Sequence, residues 1–152
     1  MSEVMRIRDQ LKRATMGPAW HGPSLRKLLR GVSAARAARR PLPRAHTIWE
    51  IVLHIAVWRR VAARRLAGFR ARATGTRNWP RVRDTSERAW RRAVADLEAS
   101  YRELHRAIGR VRDGDLGRRT PTREMSIYGM LHGVVQHDLY HAGQIAVLRK
   151  AG

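Results

Sequence analysis

Histidines carry the most distinctive chemistry in this sequence. His137 and His141 stand one helical turn apart, and His54 lies far upstream inside an apolar run. At about 100° per residue, Ile51, Ile55, Val57, Trp58, Val61 and Ala62 form the apolar arc of one helix, with Arg60 and Arg64 opposite. His54 falls within that arc. On a later helix Ile127, Met130, Leu131, Val134, Ile145 and Leu148 define the inward side, and His137 and His141 share it. An i, i+4 pair stacks two imidazoles on one face, where both can reach a single metal ion. A facing helix of a bundle can supply a third ligand, and His54 is the donor the pattern offers. Inward imidazoles left unpaired would cost a few kcal/mol each. Neutral imidazole suits one divalent transition metal such as Zn²⁺ or Ni²⁺. Three protein ligands leave an open coordination position, as catalytic sites do. The competing reading is three core histidines satisfied by carbonyl oxygens or water.

Several neighbours are candidates to assist. Gln144 projects beside the pair, and Asp138 either forms a salt bridge or orients a ligand from behind. Tyr140 and Trp58 read as packing groups beside the cavity. Glu50, one turn before His54, is a capping residue or a group that orients His54 or accepts a proton. His21, in the loop Trp20-His21-Gly22-Pro23, is an ordinary loop residue or reaches the bundle mouth. His46, His105 and His132 are expected to face solvent.

The elements that must position these groups are helical. Residues 2–15 read as an opening helix, and 24–31 and 33–40 as short pieces ended by Pro41 and Pro43. Thr47 with Glu50 is a capping box for a helix reaching Gly68, a C-terminal glycine. A loop with Gly75, Asn78 and Pro80 follows, long enough to cover a site. Asp84 with Glu87 at the capping offset opens the next helix, whose stripe is Trp90, Val94, Leu97, Tyr101, Leu104 and Ile108. The last helix starts near Ser126 and runs to about Lys150, with Met125 and Met130 at hydrophobic-staple spacing. Four long helices in one domain, residues 1–152, predict an all-α antiparallel four-helix bundle.

Composition sets outer limits. The 152 residues contain no Cys, which excludes disulfide scaffolds, Cys-ligated zinc and a cysteine nucleophile. Lys+Arg number 32 against 12 Asp+Glu, a net charge of +20. The arginines, Arg26, Arg59, Arg64, Arg91, Arg106 and Arg119 among them, are spread along the chain and read as a solvated surface. So basic a chain favours anionic partners. Yet no helix-turn-helix, zinc finger or aromatic platform marks a specific nucleic-acid binder. Neither a signal-type segment nor a membrane span is visible, so a cytoplasmic location is expected.

The run His137-Asp138-Leu139-Tyr140-His141-Ala142-Gly143-Gln144, with Ile48-Trp49-Glu50 ahead of Leu53-His54-Ile55-Ala56, resembles the DinB-like family of four-helix-bundle metalloproteins. The loop Ala19-Trp20-His21-Gly22-Pro23-Ser24 and the segment Arg40-Pro41-Leu42-Pro43 resemble one branch of it. The resemblance implies His54, His137 and His141 as the metal ligands, in a cleft between helices of a protein that is often a homodimer. It also implies an enzyme, since relatives include metal-dependent transferases of low-molecular-weight thiols and metal-dependent hydrolases. The charge of +20 departs from what the family leads one to expect. Three functions follow as expectations. The first is transfer of a low-molecular-weight thiol to an electrophilic small molecule. The second is hydrolysis by a metal-bound water, with Glu50 or His21 accepting the proton. The third, of another class, is a basic nucleic-acid-binding helical protein.

Overall fold

The structure is a computed structural model and describes residues 1–151. Among these residues six α-helices form and no strand does: α1 (Glu3–Met16), α2 (Leu25–Leu29), α3 (Ala34–Ala38), α4 (Ile48–Leu66), α5 (Glu87–Ile108) and α6 (Ile127–Ala151). Side-chain oxygens fix where they begin. The hydroxyls of Ser2, Ser24 and Ser33 each accept a backbone N–H of the following turn, which satisfies donors a helix start leaves open. Thr47 and Glu50 close both halves of the expected capping box. At the other end of α4, Gly68 takes φ 92°, and Phe69 N–H returns to the Arg64 carbonyl. That is a Schellman ending, which needs glycine's left-handed freedom.

The start of α5 differs from the sequence expectation. Ser86, not Asp84, caps the helix by accepting from Ala89 N–H at 3.2 Å. Asp84 instead accepts from Ser86 N–H at 2.9 Å, two residues too early to cap. Glu87 serves tertiary structure, since its carboxylate accepts from Ala34 N–H at the start of α3.

The long helices α1, α4, α5 and α6 make the bundle. Trp49 meets Trp90 near the starts of α4 and α5, and Arg60 pairs with Asp96 and Glu103 further along both. These two helices therefore run parallel. Opposed to them is α6, whose Leu148 belongs to the same apolar cluster as Ile48 and whose Met130 belongs to the other cluster with Ala62. Opposed as well is α1, since Arg8 reaches His105 and the Glu3 backbone bonds Asp113 beyond the end of α5. A parallel pair obliges its connection to travel back along α4, whose 19 residues rise about 28 Å. Residues 67–86 make that return trip, and their course brings them over the histidines. Among the described residues no helix is long and apolar enough to cross a membrane.

A charged pair lies at the centre. Arg59, 0% exposed, donates to Asp138 Oδ2 from Nε at 2.9 Å and from Nη2 at 2.7 Å. It also donates to the Leu97 carbonyl and to Thr15 Oγ1. One guanidinium thus ties α4 to α1, α5 and α6. This corrects the placing of Arg59 among solvated arginines. It resolves Asp138 as well, whose main partner is a buried salt bridge.

Candidate metal centre

The capping box sets the phase of α4, and with it His54 faces inward above Trp58. From the opposed helix, one turn apart, come His137 and His141. Donor nitrogens of the three lie within 4.8 Å of one another. His54 and His141 are buried, and His137 is partly so. The Nε2 atoms of His54 and His137 stand 3.0 Å apart. Two nitrogens on one tetrahedral Zn²⁺ at ordinary bond lengths are about 3.3 Å apart.

The hydrogen bonds behind the rings decide which nitrogens are bare. His54 Nδ1–H donates to the Asn78 carbonyl at 2.8 Å. His141 Nδ1–H donates to Gln144 Oε1 at 2.6 Å. Both rings therefore turn an unprotonated Nε2 inward, the tautomer a metal requires. His137 has a buried Nδ1 with no hydrogen-bond partner; Asp138 Oδ1, equally unpartnered, lies 3.9 Å away. Only a proton on His137 Nε2 is available to three converging nitrogens. That donor set fits a divalent cation such as Zn²⁺, for which neutral imidazoles are suited ligands.

Burial keeps two of the rings, His54 and His141, neutral. Burial pushes His141 down to about 4, against the Gln144 bond, and the neighbouring imidazoles add to the shift. Burial likewise lowers His54, only partly offset by its bond to Asn78. Near neutral pH neither proton competes for the lone pairs.

The returning loop roofs the cluster. Trp79 stacks on His54 with ring centroids 3.8 Å apart, and His46 stacks on its other face at 3.5 Å. Trp58 Nε1 donates to Asn78 Oδ1 at 2.8 Å, holding the loop to α4. Sequence periodicity did not reveal Asn78 or Trp79, because loops carry none. An aromatic beside Pro80 in an otherwise polar loop was the available signal. A cleft of about 440 Å³ opens beside the histidines, lined mainly by apolar groups including Trp58, Val61, Met130 and Val134.

Other expected residues fall as follows. Gln144 bonds His141, and Trp58 and Tyr140 line the cleft, Tyr140 being 66% exposed. Glu50 lies outside the cleft lining. Its carboxylate accepts from Thr47 N–H, Arg40 and His46. Burial raises its pKa, but those bonds outweigh it and hold Glu50 below the ordinary value. It caps; it bonds none of the three clustered histidines. His21 is exposed and lines a separate depression with Gln10, Arg13 and Leu139, because Leu139 faces away from His137 and His141. His46 keeps one face on Trp79, and His105 accepts from Arg8 at 3.3 Å, so neither is merely solvated.

A helical bundle that gathers three imidazoles at an apolar cleft has the makings of a metal site. The chain belongs to the DinB superfamily, whose family model matches residues 19–145. No curated protein and no solved structure matches it.

Proposed function

We propose that the cleft is the active site of a metal-dependent enzyme that transfers a low-molecular-weight thiol to an electrophilic small molecule. His54, His137 and His141 are the ligands in this reading. A divalent cation there supplies Lewis acidity, lowering the pKa of a thiol brought to it. The chain's own residues do the rest. Asn78 and Gln144 hold two imidazoles in the ligating tautomer, Trp79 roofs His54, and the apolar wall excludes water and receives the electrophile. The thiol loses its proton to solvent. Its sulfur lone pair then forms the S–C bond, and the leaving group departs with the electron pair of the bond it gives up.

One observation favours transfer over hydrolysis: among the described residues no carboxylate lines the cleft. Hydrolysis calls for a positioned proton acceptor, and both residues expected to serve, Glu50 and His21, lie elsewhere. The absence of Cys from the sequence makes the sulfur that of a cosubstrate. The test incubates zinc-loaded protein with monochlorobimane or a nitrohalobenzene, with and without glutathione and other small thiols. A panel of p-nitrophenyl esters is run in parallel. Turnover that needs both thiol and metal, and fails in H141A, is expected. Thiol-independent ester cleavage of equal rate would select hydrolysis instead.

A further inference from the structure

We propose that the end of the cleft remote from the histidines is a carboxylate-binding subsite built on Arg65. The ligand is then an elongated apolar molecule with its carboxylate far from the metal end. This rests on reading the cleft as a metal-dependent active site and specifies what enters it. His54, Trp58, Val61 and Arg65 line the same cleft from one face of α4. His54 and Arg65 are separated by about three turns, or about 16 Å of axial rise.

Arg65 is 7% exposed, a burial that a cation tolerates only when paired. Its pairing is incomplete. Nε donates to the Ala71 carbonyl at 2.9 Å. Nη2 lies 3.5 Å from Glu124 Oε2, too long for a strong bond. The other oxygen of Glu124 takes Arg72 at 3.0 Å, so one carboxylate is shared by two guanidinium groups. Nη1 makes no hydrogen bond among the described residues, and it is not one of the atoms buried without a partner, so it keeps an accessible face. Unspent positive charge thus borders an apolar cleft, and a carboxylate is the group that two guanidinium N–H donors fit in bidentate fashion. The volume of about 440 Å³ lies in the range of small-molecule sites.

The test uses metal-free protein, so that no ion competes for the carboxylate. Decanoate, decanol and decylamine are titrated by calorimetry and by fluorescence, since Trp58 and Trp79 line the cleft. Decanoate is expected to bind at least about tenfold more tightly than decanol, with decylamine weakest. R65Q removes that preference while leaving decanol unchanged, and R65K keeps part of it. E124Q, which leaves Arg65 intact and removes its competing carboxylate, strengthens decanoate binding. Equal binding of decanoate and decanol to the wild type overturns the proposal, as does a preference that survives in R65Q. Should R65Q not fold, an unchanged preference in E124Q overturns it. A zinc titration of the same preparation reports on the histidines separately, so the two readings fail independently.

Discussion

At the scale of single residues, the site depends on imidazoles that stay neutral. Unfolded histidine takes up a proton near pH 6.5, whereas His141 in the fold resists until about pH 4. Through that window the unfolded chain binds more protons, so stability present above pH 6.5 is lost as pH falls. The urea midpoint of metal-free protein is therefore expected to drop between pH 6.5 and 4, and less steeply in H141N. An equally steep curve in H141N contradicts the assignment. Asp138 is the second residue of consequence. Removing it strands a wholly buried guanidinium, so D138A is expected to cost about 3–5 kcal/mol in chemical denaturation. Replacing both partners, as in R59M/D138L, recovers most of that, because no lone charge remains. The three histidines were legible in the sequence because helical periodicity reports which face a residue occupies. Arg59 was not, since an arginine is exposed by default and only its partners on three other helices reveal the exception.

The scale of elements shows where sequence reading succeeds and stops. Caps are local chemistry, so the Thr47 and Glu50 box could be placed from spacing alone, and the helices that Ser2, Ser24 and Ser33 cap begin within a residue of the starts the sequence predicts. Asp84 and Ser86 are both competent capping types two residues apart, and only the observed hydrogen bonds separate them. The loop 67–86 was recognisable as long, and a covering role was legible. That Trp79 would be the roof was not, because the return path follows from α4 and α5 running parallel, a tertiary fact. Trp79 and the Asn78 carbonyl together fix the His54 ring. Groups supporting metal ligands in this way are worth about 10–100-fold in affinity. W79A is expected to weaken zinc binding about tenfold, measured by chelator competition, while the far-ultraviolet dichroism remains that of the folded bundle. Unchanged affinity would show that the roof does not position His54.

At the scale of the whole molecule, the net charge of +20 opposes compactness through self-repulsion. Added salt screens that repulsion. The thermal midpoint is expected to rise between 20 and 200 mM NaCl, and a fall would mean that surface ion pairs outweigh it. The family and the bundle architecture were readable from the motif and helix count, whereas the parallel pairing within the bundle was not. All of these features converge on one claim, that His54, His137 and His141 hold a single divalent transition-metal ion. Elemental analysis of protein purified without chelator, wild type beside H54A, H137A and H141A, tests it most directly. About one equivalent of metal per chain is expected in the wild type, with marked loss in each variant that remains folded. A wild type without metal that also fails to bind added zinc, or folded variants that retain a full equivalent, would contradict the account.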